Sequence, residues 1–194
     1  MKILCVIPSR AGSKRLKNKN VFPFLDKPLV QHTIETAKKL SVETIVVSSD
    51  SNDILNIAGK LGVATQLRPD YLSSDNATTD SVVLHILDSF KDYDAVLLLQ
   101  PTSPILRPSE IEKAISIFIK GKLPALVSVN ASCKFSGGYV LVKTKDLLEQ
   151  KTLWVKGLHI RTDDFGDIDD LSDLRCLEAF LAGRTDDYDQ YPIG

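Results

Sequence analysis

Five cations fall within one short polar run. The stretch IPSRAGSKRLKNKN, residues 7 to 20, carries Arg10, Lys14, Arg15, Lys17 and Lys19, and no acidic residue appears before Asp26. Guanidinium groups hold phosphate oxygens in bidentate pairs and ammonium groups hold them as point charges. Gly12 lacks a Cβ and is free to take a positive φ, which would let backbone N–H groups converge on an oxyanion, while Ser13 adds a hydroxyl. The run therefore suits a polyphosphate, and a solvated basic turn is the plainer alternative. Neither G-x-x-x-x-G-K-[ST] nor G-x-G-x-x-G occurs, so the two best-known phosphate loops are excluded.

A second cluster has the opposite sign. DDFGDIDDLSDL, residues 163 to 174, holds six aspartates, with Asp167 and Asp169 alternating around Ile168. In an extended segment that spacing puts both carboxylates on one face and turns Ile168 toward the core. Two hard oxygen ligands suit Mg²⁺, which keeps several waters and takes its remaining ligands from substrate phosphates. The plainer reading is that Asp170 and Ser172 cap a helix while Asp163 and Asp164 form a solvated turn. A nucleoside triphosphate with magnesium would use both clusters at once.

These groups must be positioned by the elements between them. KILCVI (2 to 7), TIVVSS (44 to 49), AVLLLQ (95 to 100) and ALVSV (125 to 129) are continuous apolar runs, as expected of strands covered on both faces. Between them, 28 to 40 and 108 to 119 show helical apolar stripes, and further helices are predicted near 53 to 61, 78 to 90 and 170 to 182. Pro108, Ser109 and Glu110 make a good helix start. The alternation predicts a three-layer, Rossmann-like α/β fold with a mostly parallel sheet, which binds ligands at the carboxyl ends of its strands. The first strand ends near Ile7, so the basic loop leaves from such an end.

Composition bounds the rest. The 194 residues are 43% hydrophobic and 25% charged, the size of one domain spanning 1–194. The 24 basic and 25 acidic residues nearly cancel, so no nucleic acid or anionic membrane partner is expected and any anion site must be local. Cys5, Cys133 and Cys176 are scattered, which favours reduced thiols and a cytoplasmic location. No run approaches the roughly 18 to 20 apolar residues of a membrane span, and ILCVI is too short for a signal peptide.

The opening stretch resembles the I-P-A-R-x-G-S-K-R-x-x-x-K-N signature of acylneuraminate cytidylyltransferases, the CMP-sialic acid synthetases and their relatives for other nonulosonic acids. VVSSDSNDI, LRPDYLSSDNATTD, LLLQPTSPILRPSEI and DIDDLSDL are similar to later blocks of that family, in the same order. The resemblance implies the nucleotide-diphospho-sugar transferase type of fold and transfer of CMP from CTP to the hydroxyl of a sialic-acid-like sugar acid. Pyrophosphate would leave, Mg²⁺ would be the cofactor and polysaccharide biosynthesis the setting. It also implies roles for matching positions. Arg10, Ser13, Lys14, Lys19 and Asn20 would hold the triphosphate, with Arg10, Lys19 and Asn20 assisting attack at the α-phosphorus. Arg68, Ala77, Thr79 and Gln100 would line the cytidine pocket, and Asp167 and Asp169 would hold magnesium. Related ketodeoxyoctonate enzymes are expected to carry Q-G-D-x-P where this chain has QPTSP, with Thr102 and Ser103 in that place.

One departure bears on the acceptor. The family carries a long acceptor and dimer segment after the strand matching ALVSV, followed by an N-G-A-[IF]-Y-[IV] strand. Here only NASCK separates Val129 from FSGGYVLV, and Ser136 and Gly137 stand in the later block. An acidic sugar acceptor, a different acid or phosphonate, and a CTP-binding paralogue without catalysis are the three readings left, and a homodimer stays open. His32, His85, His159 and Trp154 are expected to be packing residues, Phe165 packing or bordering the acceptor, Asp50 a turn and Asp53 a helix start.

Overall fold

The computed structural model describes residues 1–13, 15–74, 76–129, 135–162 and 167–182. In chain order the elements are β1 (Ile3–Pro8), a short hairpin of β2 (Pro23–Phe24) and β3 (Lys27–Pro28), α1 (Leu29–Ala37), β4 (Thr44–Ser49), α2 (Asn52–Lys60) and β5 (Ala64–Leu67). There follow α3 (Thr79–Ser89), β6 (Ala95–Leu99), α4 (Pro108–Lys120), β7 (Ala125–Val129), β8 (Phe135–Lys143), α5 (Thr144–Gln150), β9 (Leu158–Arg161) and α6 (Leu171–Ala182).

Seven strands form one sheet in the order β5-β4-β1-β6-β8-β7-β9. β8 runs antiparallel to both its neighbours, β6 and β7. All other pairs in that sheet are parallel. The mostly parallel α/β architecture expected from the alternation of runs is therefore the one observed. Successive residues of β1 serve opposite faces, as the pleat requires. Ile3, Cys5 and Ile7 pack with Val30 and Ile34 of α1, Ile54 of α2 and Ile111 and Phe118 of α4. Leu4 and Val6 pack with Val82, Val83 and Ile86 of α3 and Leu147 of α5. Cys5 is fully buried, which pushes its thiol pKa far up and keeps it protonated.

Local chemistry sets the helix boundaries. Ser51 caps α2 by accepting from the Ile54 N–H at 3.5 Å, and Thr78 caps α3 by accepting from the Ser81 N–H at 3.1 Å. Pro108 opens α4, with Glu110 in the first turn and Lys120 in the last, complementing the helix dipole. The helix expected over 28 to 40 stops at Ala37, and Lys38–Leu40 close it as a turn. β5 and β9 are the edges of the sheet, half-exposed and mixed in polarity, so neither gives a continuous apolar run. Among the described residues, no helix is long and apolar enough to cross a membrane.

A third apolar cluster lies off the sheet. Leu16, Phe24 and Leu29 from the N-terminal segment close on Ile168, Leu174 and Leu181 from the C-terminal one, with Leu177 and Ile105 packed against them. This cluster joins the two charged stretches.

At the other edge, β9 approaches β7 through Gly157, where a Cβ would fall inside the van der Waals surface of the Ala125 carbonyl oxygen. The Gly157→Ala variant is expected to lose about 1–3 kcal/mol of stability through that overlap. Urea unfolding checks this, and an unchanged midpoint would show that β9 does not pack as described.

Candidate active site

The loop leaving β1 is anchored at three points. The Ser9 N–H donates to the Ser48 carbonyl at 2.9 Å, the Ala11 N–H to Asp50 Oδ1 at 2.7 Å, and Asn20 Nδ2 to the Arg10 carbonyl at 2.9 Å. Asp50, expected only to form a turn, thus tethers the loop from the neighbouring strand end. The left-handed residue that turns this loop is Asn18, at φ 55°, which leads into a 3-10 turn over Lys19–Val21. Gly12 does not use its freedom to take a positive φ, and among the described residues of the loop the left-handed conformation falls to an asparagine, the residue after glycine that best tolerates this region.

Arg68 forms the opposite wall. It is only 5% exposed, and its Nη2 donates to the Ser48 carbonyl at 3.0 Å. Burial pushes its pKa down, the Asp50 carboxylate opposes that shift, and Arg10 adds to it. Ala77, Thr78 and Thr79 arrive from the start of α3, and Gln100 from the carboxyl end of β6. A polar wall of this kind, with hydroxyl, amide and guanidinium groups converging, can read the edge of a base or a ribose.

The third side comes from the far end of the chain. Ile168 is 1% exposed and its N–H donates to the Thr102 carbonyl at 2.9 Å, so the aspartates on either side of it are held in register. Lys19 Nζ donates to the Ile168 carbonyl at 2.6 Å and reaches Asp169 Oδ1 at 3.5 Å, while Arg15 Nη1 pairs with Asp169 Oδ2. Below them Asp170 caps α6 through the N–H groups of Ser172 and Asp173, and Asp173 returns a bond to the Asp169 N–H at 2.9 Å. Of the two expected caps, Asp170 takes the role, and its own N–H donates to Asp173 Oδ2 at 3.1 Å, which closes a capping box; Ser172 contributes its backbone N–H to Asp170.

These pieces enclose one cleft of about 440 Å³. Arg10, Ser13, Lys19, Asn20, Arg68, Ala77, Thr79, Gln100 and Asp169 all line it. Asp167 is exposed and is not among the lining residues, and Lys14 lies outside the described residues, as do Asp163, Asp164, Phe165 and Cys133. Arg15, Thr78 and Thr102 also line the cleft; the sequence marks Arg15 in the cationic run and Thr102 in the QPTSP block but assigns none of the three to the nucleotide pocket. Arg15 was legible as part of the cationic run, but its contact with Asp169 spans 154 residues and carries no local signal.

The donor set suits a divalent cation. Asp169 presents a carboxylate to the cleft whose two oxygens are each approached by a protein cation, Arg15 and Lys19, which stand where a metal ion would bind. Among the described residues no group of three or more His, Cys, Asp or Glu could hold a metal by itself. Such a cation would complete its shell from water and phosphate oxygens, as Mg²⁺ does. The histidines lie elsewhere. His32 Nε2 bonds the Phe24 carbonyl at 2.7 Å, and His85 stacks edge-on against Tyr71, so both are packing residues as expected.

The sheet order, the antiparallel strand β8 within it and a cationic cleft at the carboxyl ends of β1, β5 and β6 define the nucleotide-sugar transferase class of α/β folds. Within that class the sequence model described as Cytidylyltransferase matches residues 4–134, and the chain belongs to this family. The chain is 43% identical over 137 residues to a CMP-N,N'-diacetyllegionaminic acid synthase of Legionella pneumophila, covering 67% of this chain and 58% of that protein. It is 38% identical over 135 residues to an N-acylneuraminate cytidylyltransferase of Escherichia coli O18:K1:H7, covering 69% of this chain and 32% of that one. The chain thus spans between about a third and three fifths of the length of these relatives. In fold it is similar to a CMP:2-keto-3-deoxy-manno-octonic acid synthetase complexed with CTP, at a TM-score of 0.78 and 15% identity, over 95% of this chain and 100% of the other.

The Asp50 carboxylate offsets the burial of the Arg68 charge and is the acceptor for Ala11. Asp50→Asn is expected to lower stability by about 1–3 kcal/mol, since the guanidinium loses its charge partner and the loop its charged acceptor. Denaturant titration tests this, and parent-like stability would mean that Asp50 does not support the site.

Proposed function

We propose that this chain is a single-domain cytoplasmic cytidylyltransferase that moves CMP from CTP to the hydroxyl of a nonulosonic, sialic-acid-like sugar acid, releasing pyrophosphate in the presence of Mg²⁺. One observation carries the reading: the cationic loop after β1 and the Asp169 carboxylate meet in the lining of one cleft, with Arg68 and Gln100 on its wall. That arrangement accommodates a nucleotide whose triphosphate runs along the loop.

Each residue then has a physical task. Arg10 and Ser13 hold phosphate oxygens from the loop, joined by Lys14. Lys19 is fixed by the Ile168 carbonyl, which aims its ammonium into the cleft to offset charge developing at the α-phosphoryl group. Asn20 holds the Arg10 carbonyl and so sets the shape of the loop around the phosphates. Ala77, Thr79, Gln100 and Arg68 shape the cytidine side. Asp169 would hold the magnesium ion from the cleft, while Asp167, exposed and outside the lining, has no part in this site. A bound Mg²⁺ neutralises phosphate charge and orients the leaving pyrophosphate. No protein nucleophile is required, because positioning and charge neutralisation supply the catalysis of in-line nucleotidyl transfer.

The connection between β7 and β8 is only residues 130 to 134, which favours one second reading, a smaller acid or a phosphonate as acceptor. Mass spectrometry of products from CTP, Mg²⁺ and a panel of sugar acids and other acids separates the two. A CMP-sugar acid is expected, and CTP binding with no product from any acceptor would refute catalysis. Asp169→Asn is expected to lower kcat by about 10² or more with the fold intact. Parent-like turnover would remove Asp169 from the reaction.

A further inference from the structure

The carboxylate assigned above to the cation is already occupied by the protein. Asp169 Oδ1 is approached by Lys19, whose side chain is 11% exposed and anchored on the Ile168 carbonyl. Asp169 Oδ2 is paired with Arg15, which is different in kind: its side chain is 64% exposed, while that of Asp169 is 46% exposed. Lys19 is therefore a fixed part of the site, and Arg15 is a charge at its open side.

A divalent cation that binds Oδ2 competes with the guanidinium for that oxygen, and at contact distance the two positive charges repel each other. Arrival of the cation therefore displaces the exposed Arg15. Its backbone remains in the loop, within the lining of the same cleft, so the released guanidinium is confined beside any phosphate placed along Arg10, Ser13 and Lys19. There it can form a bidentate pair with phosphate oxygens.

We propose that Arg15 acts as an exchangeable counter-ion: it holds the metal-binding oxygen of Asp169 in the ligand-free protein and passes to the triphosphate when a divalent cation takes the carboxylate. This rests on the reading of Asp169 as the cation ligand. Arg15 is thus a positioning residue, and the exchange couples cation and nucleotide binding in both directions. A cation alone must break the Arg15–Asp169 pair. With the nucleotide present, Arg15 has a better partner and the carboxylate is released. The consequence runs against simple expectation, because deleting a cleft-lining arginine makes the site bind a bare cation more tightly.

Mn²⁺ binding to the full chain without nucleotide, followed by the electron paramagnetic resonance signal of free Mn²⁺, tests the exchange. Exposed ion pairs are worth little, so Arg15→Gln is expected to tighten Mn²⁺ binding by about three- to tenfold. Arg15→Lys, which keeps the charge, should return affinity toward the parent value. Lys17→Gln controls for loop charge alone: Lys17 is exposed and lies outside the cleft lining, and its change should stay within about twofold. Equal or weaker Mn²⁺ binding by Arg15→Gln, or an equal gain from Lys17→Gln, would overturn the exchange. Asp169→Asn separates the two levels. If it abolishes Mn²⁺ binding while Arg15→Gln gives no gain, the exchange alone fails. If it leaves Mn²⁺ binding unchanged, the assignment of the cation to Asp169 fails as well.

Discussion

Ile168 fixes the two ends of the chain to each other. Its side chain is buried against Leu16 and Phe24 of the N-terminal segment, its N–H is held by the Thr102 carbonyl, and its own carbonyl receives Lys19. Burying an isoleucine side chain is worth about 1.5–3 kcal/mol, and the two hydrogen bonds add directional constraint. With Ile168 turned inward and the Asp169 N–H held by Asp173, the Asp169 side chain faces the cleft. One apolar contact therefore places a carboxylate beside a group of cations that would otherwise only repel one another. α6 reinforces the contact through Leu174 and Leu181, and its first turn holds the backbone of the aspartate segment through Asp170 and Asp173.

The same logic governs the other wall. A cleft that concentrates guanidinium and ammonium groups must offset their mutual repulsion before a polyanion arrives. Asp50 does this for Arg68, and Asp169 does it for Arg15 and Lys19. The two carboxylates differ in exposure and in consequence. Asp50 is committed to the loop backbone through Ala11, so its charge is part of the scaffold. Asp169 is half-exposed at the mouth of the cleft, where its partners can be exchanged for those of a ligand.

Much of this was legible in the sequence, for reasons that differ by residue. Buried parallel strands such as Ile3–Pro8 announce themselves as unbroken apolar runs, and the stripes of α1 and α4 as helical periods. Edge strands β5 and β9 and the two-residue strands of the hairpin lack such a signature, because half-exposed backbone takes almost any side chain. The complementary signs of the loop and the aspartate segment pointed to a shared ligand. Which cation meets which carboxylate is a tertiary matter, so the Arg15–Asp169 pair and the tether from Asp50 carried no local trace. Gly12 drew attention as the flexible point of the loop, whereas the left-handed turn belongs to Asn18, whose side chain tolerates it.

The central claim is that nucleotide and cation meet between the β1 loop and Asp169. A crystal structure of the chain with CTP and Mn²⁺, with the manganese located by its anomalous signal, tests it directly. The account predicts an anomalous peak bound to the Asp169 carboxylate and to triphosphate oxygens, with the phosphates along Arg10, Ser13 and Lys19. A peak coordinated without Asp169, or a nucleotide bound away from the loop, would contradict it.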